Sequence, residues 1–109
     1  MKKMVAYVAV GVLAVYAGMS LAAGYSGSDG QITIDNFSFT PQSLTVKAGA
    51  TVTWTNKDDV PHTVMSTTKK FRSRVMDTDE KYSYTFNDPG TYEYFCSVHP
   101  HMTGKVIVQ

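Results

Sequence analysis

Beyond residue 30 the apolar side chains recur at every second position, in short runs broken by turn-forming residues. A strand turns successive side chains to opposite faces, so a run of this kind buries one face and wets the other. "QITIDNFSF" puts Ile32 and Ile34, then Phe37 and Phe39, forward as inner residues, and "SLTVKAG" places Leu44 and Val46 on one face before stopping at Gly49. "ATVTWTN" sets Val52 and Trp54 inside and Thr51, Thr53 and Thr55 outside. "PHTVMST" reads as a short strand opening at Pro61, and "KYSYTF" alternates Tyr82, Tyr84 and Phe86 ahead of the turn "NDPG". "TYEYFC" aligns Tyr92, Tyr94 and Cys96 on one face, and "GKVIVQ" supplies a last strand. Residues 66–81 form one irregular connection with room for a helical turn, and no helical period is long enough to matter elsewhere. Seven or eight short strands separated by turn signals imply an all-β fold, a two-sheet antiparallel β-sandwich.

The start of the chain reads differently. Lys2 and Lys3 form a basic head, no charge follows until Asp29, and the Val/Ala-rich run between them ends in Ser20, Leu21, Ala22 and Ala23. That is the layout of a secretory signal peptide over 1–22, cut after Ala22 or Ala23, with a flexible lead-in over 23–30 and the folded domain over 31–109. The run from Met4 to Ala23 is also just long enough to anchor in a bilayer. The small-residue exit and the Gly/Ser stretch behind it favour cleavage and a periplasmic location. Losing Lys2 and Lys3 leaves eight basic against nine acidic side chains, a near-neutral balance that speaks against a nucleic-acid partner.

A domain this small has a thin hydrophobic margin and often recruits a disulfide or a metal. Cys96 is the sole cysteine and cannot form an internal disulfide. In an oxidising compartment an unoccupied thiol is a liability. Cys96, His99 and Met102 recur at every third residue of the loop before the last strand, and His62 heads a strand that a sandwich can bring beside that loop. Singly, each has a plainer reading: a buried small hydrophobe, a core filler, a strand-capping His. Jointly they are a thiolate, a thioether and two imidazoles, a donor set that suits copper in both oxidation states. Calcium and magnesium demand oxygen donors, and zinc gains little from a thioether. With four protein donors no position is left open for substrate, which points to electron transfer rather than catalysis and to no catalytic residue.

The segments "TVTWTNKDDVPHTV", "FNDPGTYEYFCSVHPHM" and "GKVIVQ" together resemble the cupredoxins, and within them the plastocyanin/amicyanin group of type I blue copper proteins. The two residues between His99 and Met102, Pro100 and His101, match the amicyanin spacing. The resemblance implies a Greek-key sandwich holding one copper on His62, Cys96, His99 and Met102. It also implies a monomer that shuttles single electrons between transient periplasmic partners, an electron-donor dehydrogenase and/or a c-type cytochrome. Tyr92 resembles the tyrosine that pins a sandwich corner. A copper-delivery or copper-sequestering protein would use the same four residues, and an adhesion-type sandwich with an incidental thiol would use none.

Three positions depart from the family pattern. Thr63 stands where Asn is common after the first His, so the tie between that strand and the copper loop is weaker or replaced. Val98 stands where Pro is usual, which adds an N–H able to reach the Cys96 sulfur and raise the reduction potential. His101 replaces an exposed aromatic and is expected to face solvent. The run "KKFRSR" places Lys69, Lys70, Arg72 and Arg74 together, a solvated face with the charge to steer an acidic partner.

Overall fold

A computed structural model describes residues 29–109. The signal peptide expected over 1–22 and nearly all of the lead-in lie outside the described residues. Within them the chain forms eight strands and no helix: β1 (Gly30–Asp35), β2 (Ser38–Thr40), β3 (Ser43–Val46), β4 (Ala50–Asn56), β5 (Met65–Ser66), β6 (Lys81–Phe86), β7 (Gly90–Phe95) and β8 (Thr103–Val108). Gly30 already belongs to β1, one residue ahead of the alternating run. A Cβ there would stand 2.6 Å from Leu44 Cδ2, so the glycine lets β1 approach β3 closely.

The strands make two four-stranded sheets, in the orders β2-β1-β4-β6 and β3-β8-β7-β5. The all-β Greek-key sandwich is as expected, but the pairing is mixed. β1 runs parallel to β4, from Gly30 opposite Val52 to Ile34 opposite Asn56, and β3 runs parallel to β8, from Ser43 opposite Lys105 to Val46 opposite Val108. The remaining pairs are antiparallel. Alternation tells which face a residue takes and is blind to strand direction, which is why the parallel pairs were not legible.

Ile32, Ile34, Val52, Trp54, Phe86, Tyr94 and Val106 fill the space between the sheets and are all buried. Trp54 sits at the centre, its ring 5.3–6.4 Å from the rings of Phe71, Tyr82, Phe86 and Tyr94. Burial of each such side chain contributes about 1.5–3 kcal/mol. On the wet face of β4 and β6, hydroxyls pair across the strands at 2.8 Å, Thr51 with Thr85 and Thr53 with Ser83. Between β6 and β7 the Tyr92 hydroxyl donates to the Asp88 carbonyl at 2.7 Å, the backward bond of a tyrosine corner.

Two local readings change. Phe37 is not a core residue. Asn36 and Phe37 both adopt the left-handed conformation, φ 51° and 58°, and this turn resets the alternation so that Phe37 is 50% exposed while Phe39 is 4% exposed. The connection after β5 has no helical turn. It folds back along residues 62–66, with His62 bridged to Met76, Met65 bridged to Arg72, and the Ser73 amide bonded to the Val64 carbonyl at 2.8 Å. Phe71 and Met76 bury as it returns, and Met76 fills core rather than offering its sulfur at the surface.

Candidate metal centre

Three segments meet at one end of the sandwich: residues 57–62 after β4, the loop 96–102 between β7 and β8, and the turn at Asn36 and Phe37. Asn56, the last residue of β4 and fully buried, shapes the first of these. Its Nδ2 donates to the carbonyls of Val60 (3.0 Å) and Met76 (2.9 Å), and its Oδ1 accepts from the Asp58 amide at 2.9 Å. A buried amide with all these bonds made fixes a loop that has no regular structure of its own.

Asp58 is thereby aimed inward. Its carboxylate accepts from the amides of Asn36 and Phe37, at 2.9 Å each, and from His62 Nε2 at 2.8 Å. Burial works against its charge, but the Phe37 amide, the His62 ring and the Asn36 amide outweigh that and hold the carboxyl below the ordinary carboxylate value. With Nε2 committed to Asp58, His62 directs Nδ1 at Cys96 Sγ, 3.7 Å away. The ring is fully buried, and its backbone is clamped by two bonds to Met76, at 3.1 and 2.9 Å.

Cys96 directly follows β7 and Met102 directly precedes β8. The Cys96 amide donates to the Met102 carbonyl at 3.1 Å and the Met102 amide to the His99 carbonyl at 2.9 Å, closing the loop into a tight turn. Cys96 and Met102 are buried within it, 0% and 5% exposed. One ligating atom each of His62, Cys96 and His99 lies within 4.8 Å of the other two. That span is close to what donors bonded to one ion at roughly 2.0–2.3 Å produce. His99 Nδ1 is buried without a hydrogen-bond partner, an expensive arrangement unless the atom has another use.

The thiol is equally prepared. Burial pushes its pKa up, but the Thr63 amide, the His62 ring, the His99 amide and the Thr63 hydroxyl together bring it down to about 6. The Thr63 amide lies 3.3 Å from Sγ and its hydroxyl 3.7 Å. The expected replacement of the Asn tie is therefore visible. Thr63 Oγ1 accepts from the Ser97 amide at 2.7 Å and pairs with the Ser97 hydroxyl at 2.8 Å, stitching the His62 segment to the copper loop. The role expected of Val98 falls instead to the Thr63 and His99 amides, and the Val98 side chain is 46% exposed. A buried thiolate beside two imidazoles and a sulfur-bearing loop residue fits copper, whereas the three converging donors include no oxygen for an oxygen-seeking cation.

His62, Cys96, His99 and Met102 are thus brought together, and His101 is exposed at the rim. Asp58 and Phe37 escaped the sequence reading. Asp58 had one visible signal, its place four residues before His62, and Phe37 had another, the preceding Asn, a residue that tolerates left-handed backbone.

Residues 6–108 match the family model described as a cupredoxin-like domain. The chain belongs to the cupredoxins. It is 41% identical to the amicyanin of Paracoccus versutus over 85 residues, 72% of this chain and 63% of that protein, so the match spans less than two thirds of that relative. The solved structure of the same amicyanin aligns with a TM-score of 0.69 over 74% of this chain and 81% of that one, at 39% identity. Amicyanin-alpha of Methylorubrum extorquens is 35% identical over 95% of this chain and 91% of its own length. A purple cupredoxin from Nitrosopumilus maritimus aligns with a TM-score of 0.71 at 35% identity, over 74% of this chain and all of that one. As a cupredoxin the chain binds one copper ion.

Proposed function

We propose that this cupredoxin carries single electrons between redox partners, with copper held by His62 Nδ1, Cys96 Sγ, His99 Nδ1 and the Met102 thioether. The observation that carries the reading is the convergence of three ligating atoms within 4.8 Å, beside a buried His99 Nδ1 with no hydrogen-bond partner. Bound copper supplies a one-electron Cu(I)/Cu(II) couple. The protein's residues do the rest. Asp58 orients His62 through Nε2, Thr63 holds the thiolate through its amide and hydroxyl, and the Cys96–Met102 backbone bond fixes the loop. Cys96 and His62, both 0% exposed, keep water from the sulfur side, while His99 is only half-buried and offers the short route to a docked partner.

No residue takes a catalytic role in this reading. The partners proposed are a dehydrogenase as donor and/or a c-type cytochrome as acceptor, met transiently by a monomer in the periplasm after export. Amicyanin relatives and the sequence layout of residues 1–22 support that location. Film voltammetry separates carriage from copper delivery. A carrier shows one reversible one-electron wave and retains its copper through repeated cycles with a Cu(I) chelator present. Quantitative loss of copper to the chelator within the first cycles would favour delivery and refute carriage.

A further inference from the structure

The turn between β1 and β2 is built in a costly way for a simple chain reversal. Asn36 and Phe37 both hold left-handed backbone, φ 51° and 58°, which a bulky residue such as Phe rarely adopts. Backbone of that kind persists only where its surroundings fix it, and it gathers at functional sites. Here the fixing group is the Asp58 carboxylate, which takes both turn amides at 2.9 Å and His62 Nε2 at 2.8 Å. The outcome is that Phe37 leaves the core, stands 50% exposed, and turns its ring toward both imidazoles. It meets His62 edge-on at 5.6 Å and 89°, and His99 at 5.0 Å and 86°. The two imidazoles lie 5.0 Å apart at 60°.

We infer that Phe37 is a positioning residue, an aromatic clamp that holds the His62 and His99 rings in one mutual arrangement whichever oxidation state the copper is in. His62 already has a hydrogen bond to the Asp58 carboxylate to orient it, whereas the Nδ1 of His99 has no protein partner. The clamp therefore matters most for His99, the imidazole borne on the copper loop. Edge-to-face contact aligns the aromatic quadrupoles and favours this geometry over a loose ring. One carboxylate thus serves two ends: it orients the His62 ring and stations the ring that steadies His99.

The inference rests on the one-copper carrier reading, and its test has an arm that needs no copper. Metal-free wild type, Phe37→Leu and Phe37→Tyr, with labelled histidine, are compared by NMR ring relaxation and by the nuclear Overhauser contact between rings 37 and 99. Wild type shows that contact, Phe37→Leu loosens the His99 ring, and Phe37→Tyr restores its order. In the copper-loaded proteins, release of Cu(I) to a chelator is roughly two- to tenfold faster for Phe37→Leu, the range an edge-to-face pair commands, and returns towards wild type for Phe37→Tyr. Absence of the 37–99 contact in wild type overturns the clamp without any variant having to fold. A blue Phe37→Leu protein whose His99 ring order and copper release match wild type overturns it too, and leaves the carrier reading standing. A wild type that never turns blue sinks the carrier reading, while the metal-free comparison still decides the clamp.

Discussion

Thr63 and Cys96 show how single atoms prepare this site before any ion arrives. The thiol is brought down to about 6 from an ordinary value of 9.0, so its folded-state pKa lies below its unfolded one. A lowered pKa of that kind contributes stability that is fully present above the unfolded value and is lost as pH falls through the folded value. Metal-free protein is therefore expected to gain stability from pH 6 towards 9, and urea unfolding across that window checks it. Thr63→Val keeps the amide but removes the hydroxyl that bonds Sγ and Ser97. The midpoint of the ultraviolet thiolate titration should rise above about 6 in that variant; an unmoved midpoint would show the hydroxyl to be idle. His62, Cys96, His99 and Met102 were legible as a set because their chemistry is unusual in combination. Asp58 was not, because a carboxylate in a polar loop looks like any solvated charge until its three donors are seen.

The loop after β4 depends on Asn56 as a strand depends on its ladder. Its side chain satisfies two carbonyls and one amide in a region without regular structure. Asn56→Ala should cost roughly 2–4 kcal/mol in denaturant unfolding, since buried partners are left unmet. It should also weaken copper retention, because Asp58 and His62 both ride on that loop. β7 and β8 show a different dependence. Gly104 stands opposite Tyr94, and a Cβ added there would lie 2.5 Å from the Tyr94 hydroxyl oxygen. Tyr94 is 1% exposed, so its ring has little room to yield, and Gly104→Ala should destabilise by about 1–3 kcal/mol. Strand existence was readable from alternation, and so were most inner residues. Phe37 was assigned to the wrong face because a left-handed turn shifts the phase by means that hydrophobic spacing does not record. The parallel pairs β1–β4 and β3–β8 were hidden because side-chain period carries no sense of direction.

The assembled sandwich presents the half-buried His99 imidazole at one end and carries a separate basic surface. Lys69, Lys70, Arg72 and Arg74 are all exposed on the connection that folds back after β5. Among the described residues only Arg74 has an acidic neighbour, Glu80, at a loose 3.9 Å. An unspent charge cluster of this kind speeds encounter with an acidic redox partner. Stopped-flow electron exchange with such a partner should slow steeply as salt rises, with the dependence flattened in a Lys69→Gln/Lys70→Gln variant; equal salt slopes for the two proteins would remove the cluster from docking. All of this presupposes the ion and its thiolate bond. Stoichiometric Cu(II) titration of the purified protein, followed by visible absorption alongside Cys96→Ser, tests that bond directly. An intense visible charge-transfer band saturating at one equivalent in wild type and missing from the variant is the predicted result. A colourless wild type, or a Cys96→Ser protein with the same band, would contradict it.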